Sequence, residues 1–384
     1  MPNTSTLCLR DFARKVPLSL SNDASSTASL SRHRFVLSYA LMTLAAGAWL
    51  PLSSSGQETH APEVQYSRGA IPPEDLQARV IAQSRIAASQ LHFLAMSGVG
   101  APQKPKCDRY LPHFDWRDAK KVTDIEFQGG CGSCWDFAAI AAYESSALIE
   151  NNLEADKLTP GQDRLSAQQQ LDCAWPAYSC LGGWHDKVFE NIRGGSGAVD
   201  VKGYPSAYFQ RKGPACLTPS DNATHFGIDT WAWVGNGLIP SDAELKDAIC
   251  EHGPIVTGVN ADGWDRYHRV EDVETCSGVN PDWPTDGVFR GGQPSKSDLS
   301  WETFHPGDID HEVLIVGWDN DLKAWIIKNS WGACWGDKGY MYLQFGTGNI
   351  GFNSAWVRAS YLGIETPVQR PLSGEERKIL RELR

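Results

Sequence analysis

Gln128-Gly129-Gly130-Cys131-Gly132-Ser133-Cys134-Trp135-Asp136-Phe137 decides how the rest of this 384-residue chain is read. A glycine-rich loop here delivers a cysteine to the first turn of a helix. Downstream, Phe137, Ile140, Ala141, Ala147 and Leu148 fall on one helical face. The free N–H groups and partial positive charge at a helix start favour an anion. A thiol held there ionises more readily and becomes a nucleophilic thiolate. The stretch predicts a nucleophile at Cys134. Two other readings stand beside it: Cys131-x-x-Cys134 as a redox dithiol, or as half of a zinc site. Zinc would want a second close Cys/His pair, which the sequence lacks, so no metal or other cofactor is expected. A redox motif would want a compact βαβ context, and none precedes residue 131.

Composition narrows the field. A formal charge of −11 argues against nucleic acid as a partner. Ten cysteines suit an exported, disulfide-bonded protein. Residues 1–34 are polar and basic, and Phe35 through Leu52 is an uncharged apolar run closed by Pro51 and three serines. This is the pattern of an export signal over 1–56, with a membrane anchor as the alternative. The expected location is therefore periplasmic or secreted. Residues 57–110 read as a short pro-segment with one helix. Pro72-Pro73-Glu74-Asp75 starts it, Leu76, Val80, Ile81, Ile86, Leu91 and Phe93 give an apolar stripe, and glycines and prolines end it after Met96.

Residues 111–364 carry the composition of a globular domain. The half to about 220 is mainly helical, with helices from Cys134, near 166–173 and near 185–192. The half from about 221 is β-rich, with strand patterns at 230–234, 255–259, 313–318, 324–327 and 340–345. Helices followed by strands predict an α+β architecture with a cleft between halves. Residues 365–384 form a charged tail.

A cysteine nucleophile needs a base, and the base an orienting group. Of ten histidines, His311 directly precedes an apolar strand, and the following strand ends in Lys328-Asn329-Ser330-Trp331-Gly332. Adjacent strands would set His311 beside Asn329, whose amide oxygen could hold one imidazole tautomer. His185 belongs to a helix pattern of the first half. Together, Gln128 through Trp135, Asp310-His311 and Lys328 through Gly332 resemble the signature blocks of the papain family of cysteine peptidases. Phe114-Asp115-Trp116-Arg117, Leu165 through Cys173, Cys180-Leu181-Gly182-Gly183, Gly253-Pro254 and Gly336 through Tyr340 resemble further blocks in the family's order.

The resemblance implies a helical left half and a β-barrel-like right half with the active cleft between them. It implies Cys134 as nucleophile, His311 as its imidazolium partner and Asn329 as the orienting group, shielded by Trp331. Gln128 would donate to the oxyanion. Gly182, Gly183, Asp310 and Gly258 would line the substrate cleft. Partners would be extended polypeptide substrates, the chain's own pro-segment, and protein or epoxide-type inhibitors. It further implies Cys131–Cys180 and Cys173–Cys216 disulfides. Cys276–Cys334 is a guess, and Cys107 either bridges to Cys250 or another partner or locks the precursor through Cys134. Processing is expected near 106–112.

Three departures from the family pattern matter, at Asp136, Gly258 and 265–309, beside one match at Glu144. Asp136 replaces a small neutral residue and reads as a solvated helix-start carboxylate. Glu144 reads as a core glutamate. Gly258, lacking a side chain, predicts a pocket open to bulky apolar residues. Residues 265–309 lengthen the gap before His311 beyond the usual 130–150 residues. They are expected to overhang the primed side of the cleft, the side that takes the leaving end of the substrate. An exopeptidase follows if they close it. A non-catalytic or redox protein is the remaining alternative to an endopeptidase.

Overall fold

The computed structural model describes residues 66–96, 102–158, 164–174, 178–193, 198–205, 216–220, 225–296 and 299–360, with isolated positions beyond. Contacts divide the chain into Met1–Thr59 and His60–Arg384. The export signal or anchor and most of the tail lie outside the described residues, as does Cys8.

Helix α1 (Leu76–Met96) buries Leu76, Val80 and Ile86 of the predicted stripe, with Ala87 beside them, but leaves Ile81 exposed. After β1 (His113–Asp115) comes α2 (Cys134–Glu150), in which only Ala147 and Glu150 of 17 residues reach the surface. A helix buried all round belongs inside a core, and α2 packs most extensively against three other elements. Two are helices or strands described next: α4 (His185–Arg193), which follows the short α3 (Ala167–Cys173), and β7 (His311–Asp319). The third is β10 (Phe352–Ala359). Ser166 caps α3 by accepting the Gln169 N–H at 3.1 Å.

Between these, β2 (Ala198–Val199) pairs with β3 (His225–Phe226). The second half is one eight-stranded sheet ordered β4-β10-β5-β7-β8-β9-β6, with β1 added on β7. Its remaining strands are β4 (Ile228–Trp233), β5 (Ile255–Val259), β6 (Val288–Phe289), β8 (Ala324–Lys328) and β9 (Tyr340–Gln344). All pairings are antiparallel except β6 with β9. Helix α5 (Asp242–His252) fills the link from β4 to β5 and begins with a capping box, Ser241 with Glu244.

Four disulfides brace the fold: Cys131–Cys180, Cys173–Cys216, Cys276–Cys334 and Cys107–Cys250. Cys134 is the free cysteine among the described residues. The Cys107–Cys134 lock is therefore excluded: Cys107 spends its sulfur on α5. Glu144 is core, as expected, taking hydrogen bonds from Thr123 at 2.5 Å, Arg164 at 3.3 Å and the Leu165 N–H at 3.1 Å.

Candidate active site

Three strand and helix ends converge. Cys134 opens α2, His311 opens β7, and Asn329 directly follows β8. The β7–β8 register, Leu314 opposite Lys328, brings His311 and Asn329 to one sheet end. His311 Nε2 lies 2.8 Å from Asn329 Oδ1, which also accepts the Ser330 N–H at 2.8 Å. An oxygen that accepts from both fixes the imidazole proton on Nε2, leaving Nδ1 as the free base; that atom is buried and has no hydrogen-bond partner. Trp331 lies over the ring at 4.7 Å between centroids, and Trp264 meets its edge at 6.0 Å, so water is kept from the His311–Asn329 bond.

Cys134 is fully buried, and the backbone amides of Glu312, Gly69 and Trp135 favour its thiolate. Burial, then the Glu312 carboxyl, push the thiol pKa well up despite those amides. Burial likewise pulls His311 down to about 4, although Asn329 and Asp310 favour its charged form. Burial in this state thus favours the neutral forms of both thiol and imidazole.

The cause of that burial is the chain itself. Residues 66–71 run through the cleft as an extended strap. Gln128 Nε2 donates to Ser67 O at 3.0 Å and Trp331 Nε1 to the same oxygen at 3.1 Å. Tyr66 stacks on Trp331 at 4.9 Å. Gly69 and Ala70 N–H both donate to Asp310 O at 3.1 Å, while Arg68 pairs with the Asp310 carboxylate at 2.7 Å. Gly183 donates to Gly69 O and accepts from Ile71 N–H, each at 2.9 Å, so Ala70 and Gly183 pair in parallel. Gln128 is further held by Ser330 Oγ, which donates to its Oε1 at 2.6 Å.

The structure thus brings Cys134, His311, Asn329, Gln128, Trp331, Asp310, Gly182 and Gly183 to one cleft. A Cβ on Gly183 would sit inside the Trp135 ring, and one on Gly182 inside the Ile71 side chain. At Gly258, Trp184, Ile309 and Phe352 stand 3.0–3.3 Å from the position a Cβ would take, so a side chain there would crowd all three. Trp184 is fixed there by its Nε1 donating to Asn353 Oδ1 at 2.7 Å.

Asp136 is also corrected. It is fully buried, with neither carboxylate oxygen hydrogen-bonded, and burial raises its pKa well above the usual carboxylate range. The carboxyl that bears on Cys134 is instead Glu312, one residue after His311, which sequence reasoning passed over. Glu312 Oε1 lies 2.8 Å from His185 Nδ1, and Trp233 Nε1 donates to His185 Nε2 at 3.2 Å. That donation places the His185 proton on Nδ1, directed at Glu312. Burial drives both toward their neutral forms, Glu312 upward and His185 down to about 4. No local signal marked Glu312; the antiparallel register sets it opposite Gly258, on the face shared with Trp184.

The inserted stretch divides. Tyr267, Trp283 and Phe289 pack toward Trp335 and Trp264, whereas Phe304 stacks on Phe352 at 4.6 Å, beside Gly258. Its last residues therefore back the wall around Trp184, while its first part packs on the tryptophans that adjoin His311 and Trp331.

Comparison with known proteins agrees with this geometry. The profile "Papain family cysteine protease" matches residues 111–280 and 296–359. A "Cathepsin L-like" protein of Caenorhabditis elegans is 31% identical over 77% of this chain and 71% of its own length. Ananain of Ananas comosus is 32% identical over 60% of this chain, which spans 54% of that relative. The digestive procathepsin L2 proteinase of Tenebrio molitor larval midgut superposes with a TM-score of 0.52 at 25% identity, covering 77% of this chain and 80% of that one. Profile, relatives and fold agree with the cleft chemistry: the chain belongs to the papain family and is a cysteine-type peptidase.

Proposed function

We propose that the chain is an exported endopeptidase made as a precursor, in which residues 66–71 silence a Cys134–His311 pair. One observation carries this reading: Ser67 O takes the Gln128 Nε2 donor that an oxyanion would need, while the Gly69 and Ala70 N–H groups tie the strap to Asp310 O. The four disulfides support an oxidising location.

With the strap gone, water returns and both pKa shifts relax toward the thiolate–imidazolium pair. A substrate strand would pair with Gly183 and Asp310 where the strap does. Cys134 attacks the scissile carbonyl, and Gln128 Nε2 and the Cys134 N–H hold the oxyanion. His311 gives its proton to the leaving amine, leaving an acyl-enzyme that water hydrolyses with His311 as base. Asn329 keeps the ring oriented throughout. The apolar side chains around Gly258 support a preference for apolar residues at the position of Ala70, with Trp184 limiting their size. An exopeptidase is the second reading, because Tyr267, Trp283 and Phe289 of the insertion pack on the tryptophans that adjoin His311 and Trp331.

An epoxide-type thiol-protease inhibitor should label Cys134 alone in the processed enzyme. Absence of both labelling and peptide cleavage would refute the assignment. Cys134→Ala should abolish turnover, Gln128→Ala should lower kcat by about 10²–10³, and Asn329→Ala should lower it by less.

A further inference from the structure

The segment before the peptidase domain does two separable things. Every polar contact of the strap described above goes to the cleft: Gln128, Trp331, Asp310 and Gly183. Those of α1 reach the scaffold instead. Arg79 Nη1 meets Asp186 Oδ2 at 2.9 Å, and Gln83 Nε2 donates to Trp231 O at 2.6 Å. Leu76, Val80, Ile86 and Ala87 are buried as completely as the domain's own core. Val80 fills the space beside Gly237, where a Cβ would meet it at 2.5 Å. Eleven residues after α1, Cys107 is bonded to Cys250 of α5. Between strap and helix, Ile71, Glu74 and Asp75 are exposed around Pro72-Pro73.

Asp186 explains why the helix would be missed. It is wholly buried in the first turn of α4, three residues after Gly183, and its other oxygen has no partner. Arg79 is the cation that meets it, and removing one member of such a pair strands a buried charge. The turn it would strand carries Gly183, Trp184 and His185, the wall on which the strap lies.

We infer that α1 remains in the active peptidase as part of its scaffold, and that Arg79 is a positioning residue for the Gly183–Asp186 wall. This rests on the peptidase reading above. Activation then needs only hydrolysis of one peptide bond between Ile71 and Leu76, water supplying the new carboxyl and amino ends, after which the strap can diffuse away. The cut expected at 106–112 is not the activating one.

The test uses the full precursor with a site-specific protease sequence inserted after Pro73, or after both Pro73 and Gln103. Cutting after Pro73 should give complete epoxide labelling of Cys134 and peptide cleavage, with α1 present by mass. After the double cut, the α1 fragment should stay bound through gel filtration. A Pro73-cut enzyme that stays silent until the α1 fragment is severed and washed away would overturn the inference. Failure of every form to label or cleave would instead overturn the peptidase reading. In the Pro73-cut enzyme, Arg79→Ala should raise KM for extended peptides roughly tenfold or more, with a smaller change in kcat, and Arg79→Lys should restore part of it. A lowered Tm with unchanged KM would show Arg79 to be structural only.

Discussion

Gly69 is where the strap lies nearest the catalytic loop. A Cβ there would fall 2.0 Å from the Gly132 carbonyl oxygen, in the stretch leading to Cys134. The Gly132 side is held, its N–H being bonded to Cys180 O at 2.9 Å, so the strap is the side that must give way. Gly69→Ala should therefore lift the strap, and the uncut precursor should react with an epoxide inhibitor at least tenfold faster than wild type, about 1.4 kcal/mol of lost inhibition. Unchanged labelling would mean that the strap seats some other way. Nothing in the sequence around Tyr66-Ser67-Arg68-Gly69 announces this role, because the strap's meaning comes from what it lies against. Cys134, His311, Asn329 and Gln128 were legible because they sit in dense local motifs. Glu312 and His185 were not: they lie 127 positions apart and meet through folding alone.

At the scale of elements, legibility followed local chemistry. Helix α1 was readable at both ends from its prolines and apolar stripe, strands β5, β7 and β8 from their Ile- and Val-bearing apolar runs, and β9 from Tyr340-Met341-Tyr342-Leu343. Helix α5 and strand β10 went unread, though α5 carries a plain signal, Ser241-x-x-Glu244. Ser241 N–H donates to Glu244 Oε2 at 2.8 Å, and Ser241 Oγ accepts from Glu244 N–H at 3.3 Å. The box matters because α5 carries Cys250 and so anchors Cys107. Ser241→Ala should cost about 1 kcal/mol, read as a lower midpoint in urea unfolding with an unchanged slope. Activity of the strap-freed enzyme should not move, since α5 touches none of the cleft residues named above. Strand β10 was harder: Phe352-Asn353-Ser354-Ala355-Trp356 mixes polar and apolar residues because it is buried from both sides, by α2 and by the sheet's own neighbours.

Across the whole molecule, buried ionisable groups set how stability responds to pH, and they pull in opposite directions. His185 and His252 are held near 4 and 3 by burial, His252 also by Lys104 and Arg358, and His311 near 4. Each stays neutral in the fold but takes a proton in the unfolded chain below about 6.5. Their contribution is therefore whole above pH 6.5 and is lost as pH falls toward 4. Asp136 and Glu312, raised by burial, act the other way. Their contribution is whole below about pH 4, where the unfolded carboxyls are also protonated, and is lost as pH rises. Asp136 gives the cleaner test, for it has no hydrogen-bond partner and lies on α2 among core side chains. Asp136→Ala removes an acid that the fold must keep protonated while the unfolded chain ionises it freely. The variant should be more stable than wild type by about 1–3 kcal/mol at pH 7, with the gain shrinking to near zero at pH 4. Denaturant titrations of the strapped Cys134→Ala precursor at both pH values, with and without the change, would measure this without self-digestion. An equal effect at pH 4 and pH 7, or a loss at pH 7, would show that Asp136 has a partner in solution and that its burial is no burden on the fold.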